Sequence, residues 1–132
     1  MFDHIGIVTR DRSLSLRFYQ ACLPPLGYVE TESQEGASVF GGPAGRPFLW
    51  IGTRRPAFWK DEHAAGTSPI HLCLAAPNKE AVDAFHHAAL GEGGTDNGAP
   101  GYRGDGRTYY AAFVLDPDGN NIEAAYRTPG TG

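Results

Sequence analysis

The sequence predicts a pseudo-symmetric α+β domain in which one strand-and-helix unit is used twice. The first observation behind this is a pair of near-copies, His4-Ile5-Gly6-Ile7-Val8 and His71-Leu72-Cys73-Leu74-Ala75, both short alternating runs of strand type. Residues two apart share a face of a strand, so each histidine lies opposite the large aliphatic residues: Ile5 and Ile7 in one copy, Leu72 and Leu74 in the other. The second observation is that the offset of 67 residues persists beyond the strands, with Phe18 matching Phe85, Leu23 matching Leu90 and Gly27 matching Gly94. Two copies are too few for a solenoid, so the repeats are expected to fold on each other and bring His4 and His71 to a shared central groove.

Length and charge narrow the class. The 132 residues suit a single domain, 1–132, with repeat one at about 1–57 and repeat two at about 68–127. Hydrophobic residues at 41% and charged residues at 20% are those of an ordinary globular protein. A net charge of -4 provides no basic footprint, which argues against nucleic acid as a partner. No apolar run approaches the roughly 20 residues of a membrane span, and no charged region followed by an apolar one opens the chain, so no membrane partner and a cytoplasmic location are expected. Cys22 and Cys73 fit no CxxC spacing and read as buried reduced thiols; because Cys73 shares the face of His71, lining the site is its other reading.

Taken in order, Phe2 to Thr9 is the first strand. Asp11 is the expected N-cap of a helix through Leu14, Phe18 and Leu23, with Leu14, Phe18 and Cys22 forming an apolar stripe for the aliphatic side of the sheet. Pro24-Pro25 ends that helix. Strands follow at Gly27–Thr31, Ala37–Gly41 and Pro47–Thr53, the last two joined through a glycine-rich turn. That turn lacks the Lys-Ser or Lys-Thr ending of a phosphate loop and no helix follows it. Residues 54–69 form a connector in which Phe58 and Trp59 either cover the groove, meet a second subunit or pack on their own domain.

The second repeat opens with the His71 strand. Asn78 caps a helix over Glu80–Leu90 that buries Val82, Phe85 and Ala89. His86 and His87 point about 100° apart on it, so at least one is expected in solvent. The run from Gly91 to Gly106 is so rich in glycine that it reads as a long mobile loop, with Tyr102, Arg103 and Arg107 as candidate substrate contacts; an arginine can clamp an anion bidentately. Thr108–Leu115 is a strand ending at the turn Asp116-Pro117-Asp118-Gly119. The last strand runs from Asn120 or Asn121 through Tyr126, with Glu123 opposite Ile122, and the tail 128–132 is expected to fray.

His4, His71 and Glu123 thus each stand on the non-aliphatic face of a strand. Two imidazoles and a carboxylate with open positions form a facial set for non-haem Fe(II), and occur with Zn(II) when water completes the shell.

These residues, with Arg17-Phe18-Tyr19 on the first helix and the run from Phe113 to Glu123, resemble the vicinal oxygen chelate superfamily, which includes glyoxalase I, fosfomycin-resistance proteins, methylmalonyl-CoA epimerase, extradiol dioxygenases and bleomycin-resistance proteins. The resemblance covers nearly the whole chain. It implies two βαβββ modules forming a cupped, barrel-like mixed sheet with helices on the outer face. It further implies a divalent ion (Fe, Mn, Zn, Ni or Co) on His4, His71 and Glu123, a small-molecule substrate and a homodimer.

The position where glyoxalase I carries a further glutamate aligns with Trp50, and indole cannot ligate a metal. That departure undermines a glutathione-dependent glyoxalase assignment and leaves a metal-dependent enzyme that chelates vicinal oxygens of its substrate. Glu123 and Tyr110 are its expected catalytic residues, with Tyr109 beside them. The other reading is a metal-free protein of the bleomycin-resistance type that sequesters a flat ligand, with Trp50, Phe48 and Tyr110 lining the groove.

Overall fold

The computed structural model describes residues 2–42 and 44–128; the expected fraying at 129–132 lies outside them. The elements are β1 (His4–Val8), α1 (Arg12–Cys22), β2 (Val29–Gln34), β3 (Ala37–Gly41), β4 (Phe48–Gly52), β5 (His71–Ala75), α2 (Lys79–Gly91), β6 (Thr95–Tyr102), β7 (Tyr109–Leu115) and β8 (Asn121–Arg127). They form two βαβββ modules in an α+β fold, as expected. The sheets have the orders β1-β4-β3-β2 and β5-β8-β7-β6, and neither closes on itself. In each, the first strand pairs in parallel with the last, and the remaining pairs are antiparallel.

The repeat is visible in how the helices are made. Asp11 accepts a hydrogen bond from the Leu14 amide and Asn78 one from the Ala81 amide, each satisfying a first-turn donor that has no partner within the helix. Phe18 and Phe85, the equivalent residues, are both fully buried. Each helix lies against the aliphatic face of the sheets, α1 packs on α2, and one apolar cluster runs through both modules. The predicted stripe on α1 holds at Phe18 and Cys22, both fully buried, but not at its first position: Leu14 is 46% exposed and Ser15 is buried in its place. Ser15 belongs there because its hydroxyl shares a hydrogen bond with Thr9.

That bond is part of a clamp between the modules. The β7–β8 turn inserts Asp116 and Asp118 against the start of α1. Tyr19 donates to Asp116 at 2.5 Å, Thr9 donates to Asp118 at 2.5 Å, and the Arg10 amide and Nε donate to the other Asp118 oxygen at 3.0 and 3.1 Å. Asp116 also receives the Asn120 amide and side chain. Burial alone would raise the Asp118 pKa, but the bonds from Thr9 and Arg10 and the charge of Arg10 outweigh it and hold the carboxyl below its usual value.

Two expectations are corrected. The run expected as a long mobile loop from Gly91 to Gly106 contains β6, an eight-residue strand whose pairing with β7 shifts register around Gly98. Glycine disfavours strands in isolation, but here it admits the bulge: Gly98 has φ 155°, and a Cβ there would meet Phe113 at 2.9 Å. Cys73, expected to be buried, is exposed as a residue because this face of β5 carries no covering helix, although its thiol is partly sheltered beside Glu123; Cys22 is buried as expected. The connector of residues 54–69 has no helix or strand. Phe58 is 81% exposed.

Candidate functional site

With the helices on the aliphatic faces, the opposite face of each sheet is left open, and the strand registers decide which side chains share it. In module two, His71 pairs with Asn121 and Cys73 with Glu123 across β5 and β8, while Phe113 and Tyr109 pair with Glu123 and Arg127 across β8 and β7. These residues therefore project together.

His71 Nε2 lies 3.1 Å from Glu123 Oε1. The imidazole is half-exposed, whereas Glu123 is only 3% exposed. The Tyr109 hydroxyl donates to Glu123 Oε2. Burial, followed by that bond and the Glu123 charge, pushes the Tyr109 pKa up to about 12, so the phenol keeps its proton at neutral pH. The same causes act on the Cys73 thiol, where burial and then the Glu123 carboxylate raise the pKa to about 12. Arg127 lies over the Tyr109 ring at 3.9 Å and Arg103 over Phe113 at 5.4 Å, giving the face a cationic rim.

In module one, His4 pairs with Phe48 and Gly6 with Trp50 across β1 and β4. The His4 ring stacks on Phe48 with centroids 4.7 Å apart, and its Nδ1 lies 2.8 Å from Asp3 Oδ1. Arg46 holds the other Asp3 oxygen at 2.8 Å. The His4 bond, offset in part by burial and reinforced by Arg46, lowers the Asp3 pKa. A cleft of about 910 Å³ opens beside His4, between β1, Trp50 and the connector. A smaller hollow of about 450 Å³ lies by Phe48 and also reaches Trp50.

Of the expected residues, the fold unites His71, Glu123 and Tyr109, and separately His4, Phe48 and Trp50. Among the described residues no three His, Cys, Asp or Glu side chains converge as a ligand set, so His4, His71 and Glu123 do not meet as one within the chain. Tyr110 does not join Glu123, because successive strand residues point to opposite faces. Its hydroxyl donates to Asp83 of α2 at 2.6 Å, and its ring meets Tyr102 at 5.2 Å. Tyr102 accepts from Lys79 Nζ, and Arg107 lies over the Tyr102 ring at 5.8 Å, so Tyr102, Arg107 and Tyr110 form a separate cluster. Arg103 alone of the three expected loop contacts approaches the Glu123 face. Sequence reasoning missed Arg127 and Asn121; both lie an even number of residues from Glu123 on one strand, which is the alternation that could have found them.

The module-two pair fits a divalent ion as half of a site. Two ligands at about 2.1 Å and near a right angle are roughly 3 Å apart, which is the His71–Glu123 spacing. The His71 Nδ1 lies 3.1 Å from both the Asn121 carbonyl and the Asn121 side-chain Nδ2, so it donates to the first or accepts from the second. With Nδ1 accepting, Nε2–H donates to Glu123; with Nδ1 donating, Nε2 presents a lone pair to the carboxylate, the tautomer a cation between them would use.

The comparisons agree with this fold. The family model of the Glyoxalase/Bleomycin resistance protein/Dioxygenase superfamily matches residues 1–124, and the chain belongs to that superfamily. A glyoxalase/bleomycin resistance protein from Albidiferax ferrireducens T118 is 32% identical, with a TM-score of 0.74 over 97% of this chain and 99% of that one. A glyoxalase-related enzyme from Fulvimarina pelagi is 19% identical, with a TM-score of 0.71 over 96% of this chain and 88% of that one. A glyoxalase/bleomycin resistance protein/dioxygenase family enzyme from Burkholderia phytofirmans PsJN is 21% identical, with a TM-score of 0.66 over 96% and 98%. The last two likenesses concern the fold alone. No curated protein matches the chain. Among the described residues no helix is long and apolar enough to cross a membrane.

Proposed function

We propose that this chain is a metal-dependent enzyme of the vicinal oxygen chelate type whose centre is completed between two copies: His71 and Glu123 from one chain and His4 from its partner. The observation that carries the reading is the 3.1 Å approach of His71 to a buried Glu123 on an open, uncovered sheet face. His4 occupies the equivalent strand position on the other open face and is likewise half-exposed, so it is available to a second copy.

A bound divalent ion would polarise neighbouring oxygens of a small substrate as a Lewis acid. The chain's own groups then have separate tasks. Glu123 is fixed by Tyr109, which limits its rotamers and keeps one carboxylate oxygen beside His71. Tyr109, held protonated, donates a hydrogen bond toward Glu123 or toward a substrate oxygen that displaces it. Arg103 and Arg127 supply positive charge at the rim of this face.

The second reading, a metal-free binding protein, is favoured by one observation: an indole stands at Trp50, opposite Gly6, where a further carboxylate would complete a four-residue set. Co-expression separates cis from trans assembly. Chains bearing His4→Ala and Glu123→Ala are each expected to lose metal, while their heterodimer keeps about one ion, because one of its two centres is intact. No recovery in the heterodimer would refute assembly between copies. Absence of metal in the unaltered protein after reconstitution with several divalent ions would leave the binding-protein reading.

A further inference from the structure

We infer that the cleft beside Trp50 takes a flat aromatic ligand bearing a carboxylate. This deepens the proposed function, since it rests on the open face of module one being half of a small-molecule site.

The shape is set by glycines. A Cβ at Gly6 would lie 3.7 Å from Trp50 Cε3, and one at Gly52 would lie 2.9 Å from Trp50 Cη2. The indole therefore runs along the sheet across two residues that have no side chain, and Gly52 leaves it no room for one. A flat ring held against a sheet offers its open face to another flat ring. Phe58, Trp59 and Ile70 add apolar surface around this floor.

The charge of the cleft is the second argument. The chain as a whole is acidic, with 15 Asp and Glu against 11 Lys and Arg. None of those carboxylates lines the cleft, whereas Arg54, Arg55 and His63 do; His4 lines it too, but its Nδ1 is already paired with Asp3. Asp61 and Glu62 belong to the same connector yet stay out of its walls. Among the described residues neither Arg54 nor Arg55 forms an ion pair. Arg55 donates to the carbonyls of His63 and Lys60 at 2.6 and 2.7 Å and lies 5.4 Å from the Trp59 ring centroid. Those neutral acceptors fold the connector around the guanidinium without cancelling its charge. Arg54, whose polar contact is the Glu35 carbonyl at 3.4 Å, is the freer of the two. The Lys60 amide donates to His63 Nδ1, so the neutral imidazole carries its proton on Nε2 and is a further donor. Apolar flat walls with donors and cations, and no competing carboxylate, match an arylcarboxylate.

Calorimetric titration of the unaltered protein with naphthoate, its neutral amide and octanoate tests both arguments. Naphthoate is expected to bind about tenfold more tightly than either. Trp50→Leu should weaken naphthoate about tenfold, and Gly6→Val, which places a branched side chain on the floor, should do the same by an independent route. Arg54→Gln should remove most of the preference for naphthoate over its amide. Melting temperatures check that each variant is folded. Equal binding of amide and carboxylate, no binding of naphthoate at millimolar concentration, or indifference of naphthoate to both floor variants would overturn the inference. Repeating the titration after chelator treatment and on Glu123→Ala separates the two readings. Naphthoate binding that persists without metal supports the cleft whatever becomes of the metal centre, whereas a metal-loaded protein with no naphthoate preference defeats the cleft alone.

Discussion

The two open sheet faces are built on the same plan and carry different chemistry. Each begins with a half-exposed histidine on the first strand of its module. Two residues on, the strand register places Trp50 opposite Gly6 in one module and Glu123 opposite Cys73 in the other. Trp50 and Glu123 are therefore structural counterparts: a flat apolar platform against a buried carboxylate. The backbone keeps its repeat while the side chains at one position differ, an indole on one face and a carboxylate on the other.

The comparison depends first on the modules being held in a fixed relation. Asp116→Ala removes the acceptor of Tyr19 and of Asn120, and leaving buried donors unpaired is expected to cost about 3 kcal/mol. Denaturant unfolding would measure it, and a loss near zero would mean that helix packing alone fixes the modules.

Making the faces alike is the next test. Trp50→Glu restores a carboxylate at the counterpart position and should raise the affinity for a divalent ion about tenfold, read by competition with a chelator. The same variant should abolish the stacking floor, so metal and naphthoate affinities ought to move in opposite directions.

A smaller effect concerns the carboxylate side. Glu123→Gln removes the charge that, after burial, keeps Tyr109 and Cys73 protonated. Both groups should then ionise at lower pH, and alkylation of Cys73 at about pH 9 should quicken about threefold. Burial remains the larger cause, so the ionisation of neither group returns fully to its ordinary range. In the unaltered protein the raised Cys73 pKa means that the unfolded chain loses this proton first. Its contribution to stability is present below about pH 8.5 and declines as pH rises toward 12.

The smallest expected effect is at the clamp. The Asp118 pKa is lowered in the fold, so its contribution is complete above about pH 4 and is lost as the pH falls through the folded value. Asp118→Asn should flatten the acid limb of the melting curve, and an unchanged limb would show that the carboxylate contributes nothing through its charge.

Much of this was legible in the chain. The spacing of His4 and His71 and the alternation around them identified both strands and their open faces, since period-two patterns survive into the fold unchanged. Asp11 and Asn78 announced their helices because capping is a local interaction. What stayed hidden depended on partners distant in sequence. The Gly91–Gly106 run has poor local propensity for a strand, and only pairing with β7 makes one of it. Tyr109 and Tyr110 are adjacent and chemically alike, and choosing between them needed the register against β8, which a turn of known length but unknown exit fixes only in three dimensions. The burial of Ser15 in place of Leu14 likewise follows from Thr9 and Asp118, not from helical periodicity.

The parallel closure of each sheet has a consequence for how the chain reaches this state. Strands β2 to β4 and β6 to β8 join their neighbours through short connections, whereas β1 must find β4 and β5 must find β8 across an entire helix and hairpin. Contacts distant in sequence bear the greater loop-closure entropy and form later. The two histidine-bearing strands are thus expected to dock last and exchange their amide hydrogens first, so each module acquires its open-face imidazole only once the rest of its sheet exists.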